Sequence, residues 1–146
     1  MSIKFKRNIK ARPDVVFKAI TTKKGYQGWW TRTCEIDCAV HHDSFIWFEK
    51  KDITEEMIFK TLEVSFNEKL LWFCFANNVF PSWVGTKLEF IITTNDSGTE
   101  LNFIQTSEDD YWHKNKDYAN SNSGWGYFMD SLKSYCETGE GQPWES

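Results

Sequence analysis

Residues 3–9 alternate, with Ile3, Phe5 and Ile9 on one side and Lys4, Lys6 and Asn8 on the other. A period of two predicts a half-buried strand. Pro13 and Asp14 follow at positions suited to a first helical turn. There a proline gives up no hydrogen bond and an acid meets the positive end of the helix dipole. Val16, Phe17 and Ile20 supply one apolar stripe, so a short helix is predicted. Thr21-Thr22 ends it or caps a second short helix, and Gly25 and Gly28 are expected to break that stretch before Trp29-Trp30.

From about residue 33 to 107 the pattern is that of strands. Phe45 and Trp47 alternate with Ile46 and Phe48, and residues 56–66 place Leu62, Val64 and Phe66 in phase. Asn67-Glu68-Lys69 is a turn, and Leu70 to Phe75 is apolar on both faces, as in a central strand. Val84, Thr86, Leu88, Phe90 and Ile92 alternate with Gly85, Lys87, Glu89 and Ile91. Asn95-Asp96-Ser97-Gly98 is the clearest hairpin turn, and the return strand carries Leu101, Phe103 and Gln105 inward.

After a polar stretch over 108–123, Trp125, Phe128, Met129, Leu132, Tyr135 and Cys136 recur at helical spacing. Ser123 suits a cap, with a start near Trp112 as the longer alternative; Gly139 suits a stop, with Pro143 beyond it. The order is strand, two short helices, about six sequential strands and a long helix. That predicts an α+β domain over residues 1–146: a curved antiparallel sheet of six to seven strands wrapped around a long C-terminal helix. A sheet this aromatic on its inner face would hold the helix away and leave a cavity.

Composition sharpens this picture in one respect. The 146 residues are 40% hydrophobic and 26% charged, but 17% are aromatic, with 8 Trp and 12 Phe. Such side chains line ligand pockets well. The net charge of −4 argues against nucleic acid and against a polybasic membrane surface. The N-terminus is charged and alternating, unlike a signal peptide. No apolar run reaches the about 18–20 residues of a membrane span. Cys34, Cys38, Cys74 and Cys136 form no CxxC pair and are expected to be reduced thiols in a cytoplasmic protein. A zinc site at Cys34, Cys38, His41 and His42 is the sharper alternative, but the spacing matches no established finger. His41 and His42 point to opposite sides of an extended segment, so both are expected at the surface. There is no phosphate loop, GxSxG elbow or HExxH, and no cofactor or metal is expected.

Ala11-Arg-Pro-Asp-Val-Val-Phe-Lys-Ala-Ile-Thr followed by Trp29-Trp30 resembles the opening of helix-grip proteins of the START-related superfamily. So do Lys60-Thr-Leu-Glu-Val-Ser-Phe-Asn-Glu-Lys-Leu-Leu-Trp, Gly98-Thr-Glu-Leu, and a last helix opening at Gly124-Trp125 and ending Glu137-Thr-Gly-Glu-Gly-Gln-Pro. Among its branches, the chain looks most like the domain related to the activator of the heat-shock chaperone ATPase. The resemblance implies the helix-grip fold and an internal cavity. It implies no single activity, since members include ligand carriers, aromatic polyketide cyclases and co-chaperone domains. The eukaryotic co-chaperone has a separate N-terminal chaperone-binding domain, whereas residues 1–146 are expected to hold the helix-grip domain alone. The glycine pair often seen before the third strand is replaced by His42-Asp43 or Asp43-Ser44, which bears on the local bulge.

With that resemblance, the cavity is expected to be lined by Trp29, Trp30, Phe45, Trp47, Trp72, Phe75, Phe90, Phe103, Trp112, Trp125, Phe128, Met129 and Leu132. Thr86 and Gln105 face the same side by phase, either orienting a ligand or bonding each other across the hairpin. Glu108, Asp109, Asp110 and His113 form either a solvated acidic loop or, in a cavity lyase or cyclase, the general acid and base. The expected function is non-catalytic binding of a small hydrophobic or amphipathic ligand, lipids included. A chaperone-directed interaction module is the alternative.

Overall fold

The computed structural model describes residues 2–108, 112 and 116–145. Strand β1 (Ser2–Ile9) leads into helices α1 (Pro13–Thr21) and α2 (Lys23–Trp29). Strands β2 (Thr33–Glu35), β3 (Asp43–Glu49), β4 (Thr54–Ser65), β5 (Lys69–Asn77), β6 (Lys87–Asn95) and β7 (Gly98–Thr106) follow, then helix α3 (Lys116–Thr138). The strands form one 7-stranded sheet in the order β1-β7-β6-β5-β4-β3-β2, antiparallel throughout. Strands β2 to β7 are a meander in sequence order, and β1 closes the far edge by pairing with β7. The helix-grip expectation is met, with seven strands. Among the described residues no helix is long and apolar enough to cross a membrane.

Local chemistry explains the turns. In the β6–β7 hairpin, Asn95 Oδ1 accepts the Ser97 N–H at 2.9 Å, and Gly98 takes φ 139°. The β4–β5 turn places Asn67 at φ 60°, a residue that tolerates the left-handed region. Before β3, His41 takes φ 72° and His42 N–H closes the turn on Ala39 O at 3.0 Å.

Pro13 opens α1, and the Thr22 hydroxyl caps α2 by accepting the Gly25 N–H at 3.1 Å. The two glycines do not break α2, as the sequence had suggested; they sit inside it. A Cβ on Gly25 would lie 2.5 Å from Ala19 O, and one on Gly28 would lie 2.1 Å from the Tyr135 ring. They let α2 approach α1 and α3. Helix α3 starts at Lys116, before Ser123, and ends at Gly139 with φ 84°.

The concave face of the sheet, α1, α2 and one stripe of α3 enclose the core. Trp29, Trp72, Trp125, Tyr26, Phe59, Phe90 and Phe103 are all but inaccessible to solvent. The rings interlock: Tyr26 stacks on Trp72 at 5.2 Å and Phe59 on Trp72 at 4.9 Å. Much of the space foreseen as a cavity is therefore solid core, and an aromatic pocket opens toward one end.

Candidate functional site: an aromatic cavity at one end of the grip

The pocket has a volume of about 210 Å3. The β3–β4 hairpin contributes Phe48, Lys50, Glu55 and Met57, and the β5–β6 connection contributes Val79, Phe80 and Trp83. Helix α3 contributes Asn120, Ser121, Gly124, Trp125 and Phe128; Trp30, just after α2, and Trp144, in the C-terminal tail, complete the wall.

Each of these segments is fixed by polar contacts. Asn77, at the end of β5, accepts the Val79 and Phe80 N–H groups at 2.9 and 2.8 Å through Oδ1, so the connection turns inward. The Trp83 indole then donates to Ser121 Oγ at 2.7 Å, and Ser82 donates to Asp117 at 2.8 Å, tying the connection to α3. Trp125 donates to Gln105 Oε1 at 2.8 Å, while Gln105 Nε2 donates to Thr86 Oγ1 at 3.1 Å. The Thr86–Gln105 pair thus bond each other, with Trp125 as a third member.

The tail is strapped down just as firmly. Trp144 N–H donates to Trp30 O at 2.7 Å, Gln142 N–H donates to Ser131 Oγ at 2.6 Å, and Arg32 pairs with Glu145 at 2.8 Å. A Cβ on Gly141 would lie 2.4 Å from Gly28 O, so the tail passes where only glycine fits. Trp144 meets Phe48 edge-on at 5.4 Å. Across the cavity Trp83 stacks on Trp125 at 5.5 Å and on Phe80 at 5.1 Å.

Of the residues expected from sequence, Trp30, Trp125 and Phe128 line this cavity. Trp29, Trp72, Thr86, Phe90, Phe103, Gln105, Met129 and Leu132 are buried behind it as core. Trp112 is also buried, edge-on to Tyr118 at 5.1 Å. Phe45, Trp47 and Phe75 are placed differently: they lie on the outer face of the sheet. Inward positions on β3 are Ser44, Ile46 and Phe48, and on β5 Leu70, Trp72 and Cys74. Outside, Phe45 stacks on Trp47 at 5.7 Å, the Trp47 indole donates to Glu56 at 2.7 Å, and Lys60 lies over the 38% exposed Phe75 ring. The sequence reading missed Phe48, Met57, Phe80, Trp83, Trp144 and the Lys50–Glu55 ion pair.

The other candidates resolve as follows. Glu108 is exposed, and Asp109, Asp110 and His113 lie outside the described residues. His41 and His42 are exposed, and His42 Nδ1 meets Asp37 at 2.7 Å, which holds the Asp37 carboxyl below its ordinary value. Among the described residues no group of three or more His, Cys, Asp or Glu could hold a metal ion. The four cysteines are free, and burial pushes their thiols up, Cys34 to about 11 and Cys38, Cys74 and Cys136 to about 12.

A seven-stranded antiparallel sheet gripping one long helix defines a helix-grip protein. The family described as Activator of Hsp90 ATPase homolog 1-like protein matches residues 10–137, and the chain belongs to that family. No curated protein matches it in sequence. Among solved structures it is similar to the Aha1 dimer of Colwellia psychrerythraea, at 28% identity over 97% of this chain and 99% of that one, with a TM-score of 0.77. Two others share the fold. Protein MLL2253 of Mesorhizobium loti is 20% identical, covering 92% and 95% of the two chains at a TM-score of 0.76. Protein SSP2350 of Staphylococcus saprophyticus is 18% identical, covering 97% and 96% at a TM-score of 0.76.

Proposed function

We propose that this domain is a non-catalytic binder of a small hydrophobic or amphipathic molecule, held in the cavity beneath Trp144. The observation that carries it is the convergence of Trp30, Phe48, Phe80, Trp83, Trp125, Phe128 and Trp144 on one space of about 210 Å3. An apolar cavity of roughly 150 Å3 accepts benzene, so this one suits a molecule of one or two rings. Aromatic walls provide much contact area with little side-chain entropy to lose. Titration of the pure protein with an apolar dye and with one- and two-ring aromatic ligands, followed by indole fluorescence, tests the reading. Saturable binding that weakens in Phe128→Ala and Trp144→Ala is expected. No saturable binding, or binding indifferent to both substitutions, refutes it.

A second reading is an interaction module directed at a heat-shock chaperone. It is supported by the family and by the outer-face aromatics Phe45, Trp47 and Phe75, since apolar rings clustered on a surface mark contact sites. Stimulation of a chaperone ATPase that is lost in Trp47→Ala/Phe75→Ala is its expected signature. An unchanged ATPase rate with the wild-type domain removes it. The Colwellia protein is a dimer, and light scattering at micromolar concentration tests whether this chain also pairs.

A further inference from the structure

The charge arrangement in the cavity narrows the chemistry of its occupant. Glu55 occupies the inward phase of β4, two residues before Met57 and across from Phe48 of β3. Its side chain is 18% exposed, and its Oε1 is shielded from solvent. The partner of that oxygen is the ammonium of Lys50, whose side chain is 49% exposed at the start of the β3–β4 turn. Glu55 and Lys50 are the charged residues in the lining; the rest of it is mainly aromatic. The carboxylate is fixed by a strand, and the cation beside it is tethered by a flexible stem that can swing into solvent.

We propose that the cavity takes a small organic cation, an ammonium carried on a short chain from one aromatic ring, with Lys50 as the internal group it displaces from Glu55. It rests on the cavity being a binding site. Ring faces carry negative potential and attract cations, so a lining rich in Phe and Trp suits an ammonium better than an anion. An anion would also have to lie beside Glu55, whose side chain is 18% exposed against 49% for Lys50. The net charge of −4 draws cations toward the molecule. One ring fills much of a space of about 210 Å3 and leaves room for the short chain.

The test compares three probes of similar shape, phenethylamine, phenethyl alcohol and phenylpropanoate, by displacement of an apolar dye. Phenethylamine is expected to bind most tightly. Glu55→Gln should weaken it about tenfold, since a charge-assisted contact and not the apolar fit is lost. Lys50→Met should tighten phenethylamine severalfold, because the competing internal ammonium is gone. Lys50 lies at an exposed turn, so this variant keeps the test informative if Glu55→Gln fails to fold. Tighter binding of the alcohol or the carboxylate, or weaker binding of the amine in Lys50→Met, overturns the cation assignment and leaves the cavity as a binding site. No binding by any probe, dye included, overturns both.

Discussion

Replacing Gln105 with leucine isolates the polar relay behind the cavity. Thr86, Gln105 and Trp125 are all buried, with Gln105 and Thr86 at 0% and Trp125 at 2% exposure. Gln105 accepts the indole N–H at 2.8 Å and donates to Thr86 at 3.1 Å. Leucine keeps most of the volume but leaves the indole donor without its acceptor, which costs about 1–3 kcal/mol, and removes the bond to Thr86, worth about 1 kcal/mol. Apolar burial of the leucine returns a part of this. The net expectation is a loss of about 2–3 kcal/mol, set against a typical total of about 5–15 kcal/mol. For a chain of this size that shifts the unfolding midpoint by about 4–12 °C. Urea unfolding followed by far-UV circular dichroism measures it without relying on the altered indole. In a double-mutant cycle with Trp125→Phe, which removes the donor as well, the two losses should sum to more than the combined variant shows. A Gln105→Leu protein that unfolds at the wild-type urea concentration with the same slope refutes this reasoning.

Three further outcomes follow from the same structure. Leu132, at 0% exposure, is core, so Leu132→Ala should lose about 2–5 kcal/mol, whereas Phe128 borders open volume and Phe128→Ala should fall below the usual ~3–5 kcal/mol for a buried phenylalanine. Thermal unfolding measures both, and a Phe128→Ala loss at or above the ~3–5 kcal/mol of a buried phenylalanine contradicts the placement of the cavity. With thiols pushed up to about 11 and 12, none of the four cysteines should react with iodoacetamide at pH 8 until urea unfolds the chain; mass spectrometry showing native alkylation would count against that. Glu137 accepts the Lys10 N–H at 2.8 Å and pairs with Lys133, holding its carboxyl below the ordinary 4.5. A depressed folded-state pKa stabilises above the unfolded value and is lost as pH falls through the folded one. Glu137→Gln should therefore be less stable than wild type at pH 7 and converge with it in acid, and a gap that does not change with pH would refute the assignment.

The elements were legible because their periods were. Clean alternation in β1, β6 and β7 gave inward residues such as Ile3, Phe90, Phe103 and Gln105 that the structure buries. Phase failed where both faces of a strand are apolar. Over Phe45, Ile46, Trp47 and Phe48, period two fits either assignment, and the structure turns Ile46 and Phe48 inward. Trp72 and Phe75 differ in parity on one strand, and Phe75 lies outward at 38% exposure. On β4 the register shifts between Thr61 and Glu63, so the inward set passes from Met57, Phe59 and Thr61 to Val64. Phe66, which the pattern put in phase, falls beyond the strand at 78% exposure, edge-on to Phe17 at 5.5 Å. A one-residue bulge reverses sidedness, and apolar content alone does not announce it.

The cavity was harder to read because no periodic element holds it alone. Trp83 and Trp144 belong to a connection and a tail, where hydrophobic spacing carries no phase. What places them is polar: Asn77 turning the Val79–Phe80 backbone, Ser121 accepting the Trp83 indole, and Trp30 O accepting the Trp144 N–H. Ser121 and Ser131 look in sequence like interruptions of the α3 apolar stripe. Both are buried at 2% exposure, and each receives a donor from another segment of the wall. Small hydroxyls on the inward face of a helix satisfy buried donors that an alanine would leave unpaired. The aromatic rings therefore give the cavity its chemistry, and the serines and Asn77 give it its shape. Among the inward polar residues, Ser121 and Glu55 line the cavity, whereas Thr86 and Gln105 bond within the core.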